Sequence, residues 1–76
     1  MKITIFTEDH VQSVDVDDGT LSWAMLNHDG SKSEAKVEMY EYRELSVHKF
    51  CYIARFREVE ISEMRRAAIK HGYDVN

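Results

Sequence analysis

The chain has 76 residues, enough for one domain, 1–76, but short enough to bury only about 60% of its unfolded surface, so a partner often completes such a core. At 43% apolar and 32% charged it is too apolar for disorder, and it has no proline from which to build a linker. The net charge of −4 mildly repels nucleic acid, and the single cysteine, Cys51, excludes an internal disulfide and fits a reducing cytoplasm.

The charge is unevenly spread. Residues 1–46 hold ten acids against four bases, while residues 47–76 hold six bases against four acids. The first residues lack the apolar run and cleavage site of a signal peptide, and no stretch approaches membrane-spanning length. A soluble cytoplasmic protein without membrane contact is therefore expected.

In chain order, Lys2 to Thr7 alternates Ile3 and Ile5 with polar residues and reads as a strand. Glu8-Asp9-His10 is a charged turn. Residues 11–26 read as a hairpin around Asp18-Gly19, because Asp-Gly between alternating runs suits a tight turn with positive φ. A two-residue turn there puts Val16 opposite Leu21 and Val14 opposite Trp23. A second Asp-Gly pair, Asp29-Gly30, ends a three-residue loop, His28-Asp29-Gly30. That loop puts Leu21 opposite Val37 and Trp23 opposite Ala35, with Gly30 left-handed.

Residues 33–45 admit two readings. Ala35, Val37 and Met39 alternate with Lys36 and Glu38, as in a strand. Ser31 three residues before Glu34 is a capping-box spacing, and the segment is rich in helix formers, so a second helix is the alternative. The register match to Trp23 favours the strand. Val47 to Glu58 is a long strand, joined to the preceding one by a short loop near Glu44 to Val47.

The chain ends in a helix capped by Ser62. Ile61, Met64, Ala68 and His71 form its apolar stripe, with Ala67 beside them, and Gly72 is its left-handed stop. Tyr73 then packs back, and Asp74-Val75-Asn76 forms a frayed tail. The expected fold class is α+β: an antiparallel β-meander of four to five strands with one C-terminal helix on one face.

The lone helix is expected on the Trp23 face, over Val14, Val16, Leu21, Val37, Met39, Phe50, Tyr52, Ala54 and Phe56. The opposite face then exposes Tyr40, Tyr42, Ile53, Arg55 and Arg57. Exposed Tyr and Arg on an apolar patch mark an interface. A homodimer through Tyr40, Tyr42 and Ile53 is compatible with this. Asp15, Asp17 and Asp18 form an acidic cluster at a hairpin tip, too exposed for the pKa splitting that catalysis needs. It reads as a negative surface for a basic partner, although charge runs most often only keep a surface wet.

No cofactor or metal site is read. His10, His28, His48 and His71 are scattered without paired ligand spacing, and His48 and Cys51 point to opposite sides of a strand. No motif identifies a family. In shortness, acidity and lack of an active-site constellation, the chain resembles in general style the small inhibitors that phages make against bacterial nucleic-acid machinery, of which anti-CRISPR proteins are the best-known kind. The expectation is a non-enzymatic protein-interaction module. The alternative is a single-stranded nucleic-acid binder using Tyr40, Tyr42, Arg55, Arg57 and the basic helix residues Arg65, Arg66 and Lys70.

Overall fold

A computed structural model describes residues 1–75. It is an α+β fold: a curled six-stranded sheet with one C-terminal helix packed on it. The strands are β1 (Lys2–Phe6), β2 (Val11–Asp15), β3 (Ser22–Leu26), β4 (Lys32–Glu44), β5 (Val47–Arg55) and β6 (Tyr73–Asp74). The helix α1 is Ile61–His71. Residues 33–44 are extended and Leu45 is in the turn that follows, so the helical alternative for that segment is excluded. Asn76, the last residue of the expected tail, lies outside the described residues. Asp74 and Val75 are not a frayed end: Asp74 pairs with Lys49, and the Val75 N–H donates to the His48 carbonyl at 2.9 Å.

The sheet order is β2-β1-β5-β4-β3, with β6 also on β5. The expected meander holds for β3-β4-β5. The loop around Gly30 forms in the expected register, with Trp23 opposite Ala35 and the Val37 N–H donating to the Leu21 carbonyl at 2.9 Å. Gly30 sits at φ +87°, where a side chain would be strained.

The hairpin expected between β2 and β3 is absent, because these strands occupy opposite edges. β1 is the cause. Its two faces are both buried, by Ile3 and Ile5 on one and Thr4 and Phe6 on the other, which suits a central strand rather than an edge. It takes β2 through the Glu8–His10 turn and β5 in parallel, with Ile3 opposite Tyr52 and Ile5 opposite Ala54.

Residues 16–21 then form a strap. Val16 is bonded to Met1 beside β1, and Leu21 to Val37 on β4, so the strap bridges two strands that flank β5. The two strand spacings to be crossed are about 10 Å, within reach of six residues. Asp18-Gly19 does turn, with the Thr20 N–H donating to the Asp17 carbonyl at 3.2 Å and Gly19 at φ +87°. Asp18 itself has negative φ, so the turn lacks the two positive φ values of the hairpin type.

The grouping of side chains by face survives this change of topology. Val14, Val16, Trp23, Val37, Tyr52 and Phe56 pack with Ile3, Ile5, Ala35 and Ala54 in one cluster. Val14 and Trp23 meet across the curled sheet from its two edge strands, not as partners in one ladder. Leu21 and Met39 are exceptions, 80% and 62% exposed.

The helix lies on the other face. Ala67 and Ala68 pack on Phe6, Cys51 and Ile53, with Tyr40, Tyr42, Val59 and Met64 around them. The cap is Glu60, not Ser62: its N–H donates to the Glu63 carboxylate at 3.1 Å. Gly72 is extended, at φ −79°. Its role is closeness, because an added Cβ would collide with the Ala68 carbonyl and stand 2.8 Å from the Phe50 carbonyl.

Candidate functional site

The expected sheet-face site is largely consumed by the fold. Ile53 is 2% exposed, and Tyr40 and Tyr42 are half-buried beside α1. The Arg55 guanidinium forks onto Glu38 at 2.8 and 2.7 Å, and this bond holds the Glu38 carboxyl below its ordinary range. Arg57 donates to the Thr7 carbonyl at 2.7 Å and to the Glu63 carboxylate at 3.1 and 2.9 Å. Its guanidinium also lies over the Phe6 ring, 5.7 Å from the centroid. The expected placement of the helix is therefore corrected. Strand alternation tells which residues share a face, but not which face a helix covers. The richer apolar face closes on itself with the strap residue Val16, and the two alanines pack on the Tyr40/Ile53 face.

Cys51 is buried, and burial pushes its thiol up to about 11, so the thiolate needed for nucleophilic chemistry is suppressed. Among the described residues, no three His, Cys, Asp or Glu side chains gather in a metal-holding group.

What remains exposed on the concave side is the strap and the end of the β4–β5 hairpin. Phe50, Tyr52 and Tyr73 form an aromatic cluster, with centroid separations of 5.7, 5.4 and 6.4 Å. Tyr73 reaches it because β6 pairs with the start of β5, and its hydroxyl accepts the Lys2 N–H at 3.0 Å. Met39 stands opposite Tyr52 on β4.

Between this cluster and the strap lies an open depression of about 450 Å³, lined also by Met1, Asp18 and Gly19. The Asp18 side chain is 94% exposed, with one carboxylate oxygen 3.0 Å from the Met1 amine. Asp17 and Asp15 are exposed on either side of Val16. Asp74, paired with Lys49 at 3.2 Å, adds a further carboxylate near Tyr73. The structure thus sets two of the sequence-derived acids, Asp17 and Asp18, on a strap beside exposed aromatic surface. The contribution of Tyr73 and Met39 was missed, because the position of β6 depends on a pairing between residues far apart in sequence.

The chain matches no family model, no curated protein and no solved structure. Among the described residues, no helix is long and apolar enough to cross a membrane.

Proposed function

We propose that the protein is a small non-enzymatic interaction module that docks a basic protein surface against its acidic strap. The observation that supports this reading is the juxtaposition of exposed Asp18, next to exposed Asp17 in the strap, with the Phe50, Tyr52 and Tyr73 cluster. An apolar centre edged by exposed carboxylates is the pattern of a protein interface, in which the aromatics supply contact area and the charges supply orientation and rate. Carboxylates spaced along the strap also imitate a row of phosphates. The favoured partner is a nucleic-acid-handling protein, whose lysine- and arginine-lined groove the strap would occupy in place of its substrate. An inhibitor of the phage type is the corresponding role.

The single-stranded nucleic-acid reading has less support, since Arg55 and Arg57 are engaged by Glu38 and Glu63. An oligonucleotide titration at low salt reads it directly.

The test uses the immobilised chain and host lysate. A basic protein should be retained, released by salt, and lost when Asp15, Asp17 and Asp18 are changed together to Asn. It should also be lost in Met39→Ser/Tyr73→Ser. Retention of the same protein by the triple Asn variant sinks the acidic-strap reading.

A further inference from the structure

On the opposite side of the molecule a second surface carries the reverse charge. A groove of about 470 Å³ runs between α1 and β2, floored by Thr4 and Phe6. Arg66, Lys70 and His71 line it from the helix, and Val11 and Ser13 from the strand. Arg66 and Lys70 are four residues apart and so share a helix face. Among the described residues, neither has a carboxylate within 4.0 Å. Glu63 is the acid that lines the groove, and it is held by Arg57. The Thr4 and Ser13 hydroxyls lie 3.3 Å apart beneath.

β2 is also an open edge, with β1 its sole neighbour in the sheet. Met1 and Val16 exchange both of their backbone bonds, at 2.6 and 2.7 Å. Backbone direction alternates along an antiparallel strand, so Val14 and Gln12 also turn toward β1. Val11, Ser13 and Asp15 therefore turn their N–H and C=O groups outward, with no strand to receive them. Such an edge is a template for an added strand.

We propose that this edge and the basic groove together bind an extended acidic peptide segment, which pairs with β2 and reaches its carboxylates back over the strand to Arg66 and Lys70. Main-chain bonds to Val11, Ser13 and Asp15 supply the pairing, and the cationic helix face selects acidic side chains at alternate positions. The Ser13 hydroxyl, backed by Thr4, gives a further polar contact at the groove floor. This surface shares only Asp15 with the acidic site, and uses its backbone rather than its carboxylate, so the charge reversal at Arg66 and Lys70 tests it apart from Asp17 and Asp18.

The test follows amide resonances of the isotopically labelled protein during titration with a capped octapeptide of alternating Glu and Val. The expected shifts map to Val11, Ser13, Asp15, Arg66 and Lys70, and weaken with added salt. Arg66→Glu/Lys70→Glu should lower affinity at least tenfold, roughly the effect of reversing two exposed ion pairs. Ser13→Pro removes an outward N–H at a place where an edge strand tolerates proline, and should abolish binding, whereas Ser13→Ala should retain it. A dispersed spectrum shows that each variant is folded. No shift with the acidic peptide, equal shifts with a Lys-Val octapeptide, or unchanged binding by the charge-reversed protein overturns the proposal. Equal shifts with free glutamate at the same concentration overturn it as well, because they leave the strand edge without a part.

Discussion

Arg57 and Glu63 clamp the first turn of α1 to the end of the sheet. Two guanidinium nitrogens meet the carboxylate at 3.1 and 2.9 Å, while a third donates to the Thr7 carbonyl at 2.7 Å. One side chain thus joins the end of β1, the segment after β5 and the helix. Arg57→Gln should lower the melting temperature and loosen α1, seen as faster amide exchange at Ala67 and Ala68. The same clamp sets an acid sensitivity. The bond from Arg57, followed by the Glu60 N–H, holds the Glu63 carboxyl below its ordinary 4.5. A carboxyl whose folded value is depressed stabilises fully above the unfolded value and loses that contribution as pH falls. Melting temperature should therefore drop below about pH 4.5 in the native chain, and drop less steeply in Glu63→Gln.

Ile53 distinguishes a buried face from an exposed one. It is 2% exposed under Ala67 and Ala68. Ile53→Ala should cost about 2–4 kcal/mol in chemical denaturation, the range for a large-to-small change in a packed core. A cost near zero would mean that the helix does not cover this face.

Leu45 is 99% exposed and has φ +53°, in the two-residue link between β4 and β5. A leucine is strained there. Leu45→Gly should raise stability by about 0.5–1 kcal/mol, because glycine adopts this conformation without a Cβ clash. Thermal unfolding measures the gain.

Gly72 works by closeness. Gly72→Ala sets a methyl group against the Ala68 and Phe50 carbonyls and should cost about 1–3 kcal/mol, the usual range for overpacking. The loss should extend to Tyr73, whose exchange of place beside Phe50 is visible in its ring resonances.

Cys51 should resist alkylation. Its thiol is buried and pushed up to about 11. Iodoacetamide labelling at pH 8 should be slow in the native chain and rapid in denaturant, with a rate that tracks global unfolding.

The elements were largely legible because short-range chemistry sets them. Alternation in 33–45, the loop at His28-Asp29-Gly30 and the terminal helix each rest on residues a few places apart. Asp18-Gly19 misled for a definite reason. It marks a turn, and a turn is compatible with a hairpin or a crossing; the two positive φ values that would have specified a hairpin are not written in the dipeptide. The acids of the candidate site were legible as a cluster, but the aromatic surface beside Asp18 was not. That surface is assembled by the return of Tyr73 to Phe50 across 23 positions of sequence.

Side-chain periodicity determined which residues of each strand share a side, and Val14, Trp23, Val37 and Tyr52 do pack in one cluster. Tertiary structure alone decided strand order and which face the helix covers. β1 pairs with β2 on one edge and with β5 on the other, and β2 and β3 end at opposite edges of the sheet. The helix covers the face that carries Phe6, Cys51 and Ile53, where Ala67 and Ala68 pack.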